Sequence, residues 1–164
     1  MTIFNLKSIK TQLIIYLACF ALFLAAKEKN ISFLVTALIA VVSCVVIEGA
    51  VLFYKTKSFK ISDSAIISGL IIGYVLAADG PWWSFLAAAY IAITSKYLLR
   101  FAKKHIFNPA AFGILLTTII FGVSTEWKGT YSWYVLVPFG LYFTYKIRKI
   151  EIILSYAVIS LLLF

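Results

Sequence analysis

Two ionisable residues of this chain lie in apolar surroundings, where an unpartnered charge would be costly. Glu48 is the one acidic residue well inside an apolar run, and Lys96 stands near the end of another. An ionisable group in such a segment usually faces a partner or a water-filled cavity. The chemistry that Glu48 could perform is therefore to hold an ion or a proton in an apolar environment.

Both residues also have purely structural interpretations, which the sequence leaves open. Glu48 could remain a neutral carboxylic acid that is hydrogen-bonded to a neighbouring helix. Lys96 could extend its ammonium group along the apolar surface to the nearest water.

Two apolar runs begin with residues that favour the start of a helix. Ser62 and Asp63 precede one run and can accept hydrogen bonds from the first free N–H groups. Asn108 followed by Pro109 precedes the other, and this pair is a good signal for a helix start. We expect two short or discontinuous helices whose N-termini present N–H donors toward the same side.

The other reactive residue types form no recognisable catalytic set. His105 is the only histidine and lies in a basic segment, while Cys19 and Cys44 lie within apolar runs. A cysteine in such a position usually packs as a small apolar residue. The sequence shows no nucleophile–base–acid arrangement, phosphate loop or metal-ligand spacing, so it predicts neither catalytic residues nor a metal site.

The elements that must position these residues are apolar and short. Of 164 residues, 63% are hydrophobic and only 13% are charged, far from the composition of a soluble domain. We predict an all-α protein in which residues 1–164 form a single integral membrane domain with about seven transmembrane helices. The predicted spans are Thr11 to Ala26, Ile31 to Tyr54, Ser64 to Ala78, Pro81 to Leu99, Pro109 to Val123, Tyr131 to Tyr145 and Ile150 to Phe164.

The distribution of charge predicts the orientation. With the N-terminus in the cytoplasm, 12 of the 15 Lys and Arg residues fall in inner segments, and only Lys27, Lys29 and Lys128 fall outside. All four tryptophans fall at the outer ends, as an aromatic belt would. The net charge of +9 is therefore interpreted as membrane topology rather than as a nucleic-acid site. We expect a multi-pass protein of the cytoplasmic membrane in one orientation and, if it self-associates, a parallel homo-oligomer.

Small residues in the third run predict a close helix contact. Ser64, Ser68, Gly69 and Gly73 are spaced so that a neighbouring backbone can approach closely. The run ends in the turn Asp79–Gly80–Pro81, which can only be short.

Residues 62–113 resemble a known family of membrane proteins. The matching pieces are Ser62-Asp63-Ser64-Ala65 with Ser68-Gly69-Leu70, the turn Gly80-Pro81-Trp82-Trp83, Lys96, and Phe107-Asn108-Pro109-Ala110-Ala111. They are similar to RnfD of the Rnf complex and to NqrB of the sodium-translocating NADH:quinone oxidoreductase. The Asn-Pro-Ala piece is the most specific of them.

The resemblance implies a fold and a cofactor. The family has two related halves, a fold reminiscent of ammonium and urea channels, and bound flavin; this chain would correspond to one half. It lacks the Ser-Gly-Ala-Thr motif whose threonine carries FMN in the family, so covalent flavin is not expected. The resemblance instead implies non-covalent riboflavin or FMN, with Asn108, Phe107, Pro109, Asp63, Ser62 and Lys96 as candidate binding residues.

Three functions remain open from the sequence. The first is a flavin-binding subunit that serves membrane electron transfer, with other redox-complex subunits as partners. The second is a homo-oligomeric transporter or channel for a small solute such as flavin, an ion, urea or ammonium. The third is a structural or assembly partner without activity of its own.

Overall fold

The computed structural model describes residues 8–57, 61–101, 104–148, 150, 151, 154, 155 and 158. The helical class is confirmed, with one small addition, a two-stranded hairpin between the fourth and fifth helices. The helices are α1 Ile9–Glu28, α2 Ile31–Thr56, α3 Asp63–Val75, α4 Trp82–Leu98, α5 Pro109–Phe121 and α6 Trp133–Ile147. The strands are β1 Arg100–Phe101 and β2 Lys104–His105, and a 3₁₀ turn spans Thr130–Ser132.

The helices fall into long and short classes. Helices α1 and α2, of 20 and 26 residues, are long and apolar enough to cross a membrane. Helices α3 and α5 have 13 residues each, which corresponds to about 20 Å and is shorter than a bilayer core. The described positions of the seventh apolar run are helical, and its other residues lie outside the described part. Seven crossings and a cytoplasmic N-terminus stay predictions.

Close contacts between α2 and α3 confirm the expectation from the small residues. A Cβ atom added to Gly69 would lie 2.5 Å from the Cα of Val41, and one added to Gly73 would lie 2.6 Å from the Cα of Ala37. A similar contact joins α5 to α4, because a Cβ atom on Gly113 would lie 2.5 Å from the carbonyl oxygen of Ala88. Glycine is needed at these positions because the two backbones touch.

Helices that follow one another along the chain run in opposite directions, so the bundle has two chemically different ends. We call the end with Lys10, Lys55, Lys57, Lys96 and Lys146 the lysine end. The other end carries four exposed tryptophans and is called the tryptophan end; these are Trp82, Trp83, Trp127 and Trp133. Contacts across the bundle define this polarity: Gln12 accepts a hydrogen bond from Lys146, whereas Lys27 at the far end of α1 donates to Ser132.

Helix α6 lies at the side of the bundle against α1. Tyr16 stacks on Phe139 with ring centroids 4.2 Å apart. Phe143 is the one buried side chain of α6, so most of this helix faces outward. The cysteines are both free: Cys44 is buried, as a packing residue should be, whereas Cys19 lies exposed on α1.

The chain folds back on itself after α5. Gly122 ends α5 in the left-handed region with φ 65°, which glycine adopts without steric cost. The following segment then runs antiparallel to the end of α3: Ala77 N–H donates to the Ser124 carbonyl, Glu126 N–H to the Val75 carbonyl and Lys128 N–H to the Tyr74 carbonyl. The short helices α3 and α5 are thus completed by extended backbone that pairs at the tryptophan end.

Candidate functional site

The carboxylate of Glu48 is the most deeply buried charged group among the described residues. Only 2% of this residue is exposed. The Lys96 ammonium donates to Glu48 Oε1 over 2.5 Å, and the Tyr97 hydroxyl donates to the same oxygen over 3.1 Å. The prediction that Glu48 faces the protein interior is therefore confirmed. The ion pair also replaces the interpretation in which Lys96 extends to water.

Hydrogen bonds continue from this ion pair to the lysine end. The Lys96 ammonium also contacts Ser64 Oγ at 2.5 Å, and Ser64 Oγ lies 2.8 Å from Ser62 Oγ. Ser62 is partly exposed at the start of α3. Ser62, Ser64, Lys96, Glu48 and Tyr97 therefore form one continuous chain of hydrogen bonds, which we call the Glu48 chain.

Helix packing brings the Glu48 chain together from three helices. The glycine contacts draw α3 against α2, which places Ser64 near Glu48. The apolar neighbours Cys44, Ala65 and Ala92 are fully buried in the same core. Beside Tyr97, a member of the Glu48 chain, the Lys55 ammonium lies 4.5 Å from the centre of the tyrosine ring, a favourable cation–π distance.

The second carboxylate oxygen of Glu48 is available to a further ligand. Its Oε2 is buried and has no hydrogen-bond partner in the described structure. A carboxylate oxygen can accept up to two hydrogen bonds or bind a cation. The Glu48 chain can therefore take one more ligand, namely a proton, a water molecule or a small cation.

Asn108 starts α5 in the manner that the sequence predicts. Its Oδ1 accepts from the N–H groups of Ala110 at 3.1 Å and Ala111 at 3.5 Å, and its carbonyl accepts from Phe112 N–H. Pro109 has no N–H group, so the donors of the first turn are all used within the helix. The expectation that this N-terminus presents free N–H donors to a ligand is wrong, because Asn108 itself satisfies them.

The start of α3 also differs from the sequence expectation, but here the expected side-chain cap is missing. Ser62 occupies the N-cap position, but its side chain makes no capping hydrogen bond and contacts Ser64 instead. Its carbonyl accepts from the N–H groups of Ala65 and Ile66. Asp63 lies in the first turn of α3 and is partly buried.

An apolar groove lies between the second half of α4 and Phe112 in the first turn of α5. It has a volume of about 300 Å³ and is lined by Tyr90, Ile91, Thr94, Ser95, Leu98, Leu99 and Phe112. Phe112 stacks on the exposed ring of Phe107, with centroids 5.6 Å apart. The ring of Phe107 therefore lies against a residue that lines the groove.

The structure thus divides the candidate residues into two places. Lys96 and Ser62 belong to the Glu48 chain, whereas Phe107, Asn108 and Pro109 lie at the start of α5. Sequence reasoning missed Tyr97 as a partner of Glu48 and considered Ser64 only as a small packing residue. In the described part of the chain, no group of three or more His, Cys, Asp or Glu residues is arranged to hold a metal ion.

Comparison with known proteins shows that this chain is similar to members of one family. The model of the NQR2, RnfD, RnfE family matches residues 3–157. A protein of Yersinia enterocolitica, named as the D component of the ion-translocating oxidoreductase complex, is 33% identical over 99 residues, which are 57% of this chain and 28% of that protein. The Escherichia coli protein of the same name is 31% identical over 110 residues, 64% of this chain and 31% of its own length. The chain thus spans less than a third of these relatives, and no solved structure matches it.

Proposed function

Because the chain belongs to the NQR2, RnfD, RnfE family, we propose that it is a membrane-embedded subunit of an ion-translocating oxidoreductase complex, in which Glu48 binds the translocated ion or proton. The observation that carries this proposal is the Glu48 chain. It joins a partly exposed serine to a carboxylate that is otherwise enclosed by apolar helices. The name of the relatives supports a complex of several proteins as the setting.

The orientation follows from the two ends of the bundle. In this proposal the lysine end faces the cytoplasm and the tryptophan end faces outward, in agreement with the positive-inside rule. Ser62 then opens the Glu48 chain to the cytoplasm. The seventh apolar run would complete a multi-pass arrangement in the cytoplasmic membrane.

Charge explains how such a site can be coupled to electron transfer. The Glu48–Lys96 pair is neutral overall, so an added proton or monovalent cation leaves one positive charge in an apolar region. An electron that arrives elsewhere in the complex lowers the cost of this charge, since Coulomb interactions are strong at low dielectric. Uptake at Glu48 is therefore favoured by reduction and release by oxidation.

The test uses the assembled complex in inverted membrane vesicles. Glu48→Gln removes the charge and keeps the shape, so we expect ion uptake to be lost while electron transfer continues. Glu151→Gln is the matched control, because Glu151 is exposed and should leave both activities unchanged. A protonophore distinguishes transported protons from transported metal cations. Full ion uptake by Glu48→Gln would refute the role of this carboxylate.

A non-covalent flavin is a second part of the proposal, supported by the groove beside Phe112. Phe107 and Phe112 offer ring surfaces, and the groove volume of about 300 Å³ lies at the lower end of the range for small-molecule pockets. Asn108 Nδ2 is the polar donor that remains at this position, because Oδ1 caps the helix. Lys96 and Ser62 are engaged in the Glu48 chain, so the proposed flavin contacts are Phe107, Asn108 and Phe112. A bound flavin would supply one-electron and two-electron redox chemistry.

The absorption spectrum of the purified protein tests the flavin and separates it from the alternative function. A yellow protein that releases flavin on denaturation supports the redox function. A colourless protein that passes a small solute into liposomes would instead support a homo-oligomeric transporter. The paired short helices α3 and α5 favour this alternative, since broken helices often line transport sites.

A further inference from the structure

A polar cavity lies at the tryptophan end, far from the Glu48 chain. It has a volume of about 410 Å³ and is lined by Lys27, Glu28, Glu126, Trp127, Lys128 and Thr130. Its wall therefore carries two ammonium groups, two carboxylates and one indole ring. Neither the Glu48 chain nor the groove beside Phe112 includes any of these residues.

Several contacts hold the charges of this cavity in place. Lys128 is only 8% exposed, and its ammonium lies 2.6 Å from the Glu126 carboxylate. Its backbone N–H is bound to the Tyr74 carbonyl. The Lys27 ammonium donates to Ser132 Oγ at 3.1 Å and Tyr134 Oη at 3.3 Å. The cavity is thus built from the end of α1 and from the segment that folds back after α5.

The mixture of charges restricts the ligand. The two ammonium groups and two carboxylates balance, so neither a simple anion nor a simple cation meets a net charge of opposite sign. A ligand with a phosphate and an ammonium group can pair with both kinds of wall residue through charge-assisted hydrogen bonds. We infer that this cavity binds the headgroup of phosphatidylethanolamine.

The position of the cavity supports a lipid as the source of this headgroup. The inference rests on the membrane insertion proposed above, which puts the tryptophan end at the membrane surface. Trp127 lines the cavity and is half exposed, as expected of a residue at the level of the headgroups. Phosphatidylcholine lacks N–H donors for the carboxylates, and phosphatidylglycerol lacks the cation.

The experiment measures which lipids the full chain retains. The protein is extracted from membranes in detergent, mixed with equal amounts of phosphatidylethanolamine, phosphatidylcholine and phosphatidylglycerol of the same acyl chains, and analysed by native mass spectrometry. We expect several-fold greater retention of phosphatidylethanolamine than of the other two. In Glu28→Gln the wall gains net positive charge, so this preference should be lost and retention of phosphatidylglycerol should rise.

The matched control is Lys29→Gln, since Lys29 is exposed next to Glu28 but does not line the cavity. This variant should keep the preference of the wild type. Equal retention of the three lipids by the wild type, or an unchanged preference in Glu28→Gln, would overturn the inference. So would competition by free phosphoethanolamine at the same concentration as the lipid, because the ligand would then be a soluble molecule. A chain that is recovered without detergent would instead refute membrane insertion itself.

Discussion

Removing Lys96 alone should destabilise the protein strongly. In Lys96→Met the Glu48 carboxylate loses its ammonium partner and keeps one described hydrogen bond, from Tyr97. Its other oxygen is already buried without a partner. Breaking one side of a buried ion pair typically costs about 3–5 kcal/mol. We expect the lower end of this range, about 3 kcal/mol, because the Lys96 side chain is 13% exposed and water can reach the position that it leaves.

The double variant Glu48→Leu with Lys96→Met shows whether the loss of stability in Lys96→Met comes from the unpaired carboxylate. It removes both charges and fills the space with apolar groups, an exchange that is often neutral or stabilising by about 1–4 kcal/mol. The double variant should therefore be more stable than Lys96→Met. It should lack the ion uptake of the parent complex, since the proposed binding group is absent.

Denaturant unfolding of the detergent-solubilised protein, followed by circular dichroism, gives the free energies for this double-mutant cycle. Lys55→Met is the control lysine, because the exposed Lys55 ammonium contacts only the face of the Tyr97 ring in the described structure; it should cost about 0.5–1 kcal/mol. A cost of Lys96→Met no greater than that of this control, or simple additivity of the two single substitutions Glu48→Leu and Lys96→Met, would contradict a stabilising buried ion pair.

Three further predictions concern packing, capping and topology. Gly113→Ala should lower the free energy of unfolding by about 1–3 kcal/mol, because the new Cβ atom would lie 2.5 Å from the Ala88 carbonyl oxygen. Gly140→Ala is the control: a Cβ atom there would have no other atom within 4 Å, so the melting temperature should stay unchanged. Asn108→Asp should keep the helix cap and the melting temperature but lose the bound flavin, since Asp has no amide donor; flavin retained at wild-type affinity would assign Asn108 to capping alone. In intact cells, a membrane-impermeant maleimide should label Asp79→Cys and leave Lys57→Cys unlabelled, and the opposite result would invert the proposed orientation.

The local features of this fold could be predicted from the sequence because each depends on neighbouring residues. Asn108–Pro109 starts a helix, and Gly69 and Gly73 allow close packing, in both cases through backbone chemistry within one or two turns. That Glu48 faces inward follows from the cost of a charge in an apolar run. The burial of Glu48 could therefore be predicted, whereas its role in binding an ion stays a proposal.

The partners of Glu48 depend on how three helices pack, which local chemistry does not determine. Tyr97 and Ser64 belong to other helices than Glu48, and nothing in their local sequence marks them as partners of its ion pair. The small hairpin β1–β2 and the segment that folds back after α5 also escaped prediction. Both are formed by backbone hydrogen bonds between short segments outside the helices. Segments this short show no hydrophobic periodicity from which they could be predicted.

The pairing of the segment after α5 with the end of α3 has a consequence for how the chain is made. The Tyr74 and Val75 carbonyls find their partners in Lys128 and Glu126, which the ribosome adds only after α4 and α5. Until then, in the membrane arrangement proposed above, these carbonyls at the tryptophan end have only water and lipid headgroups as partners. The end of α3 is thus completed by a segment that is made two helices later, and we expect this pairing to form only after α5 is in place.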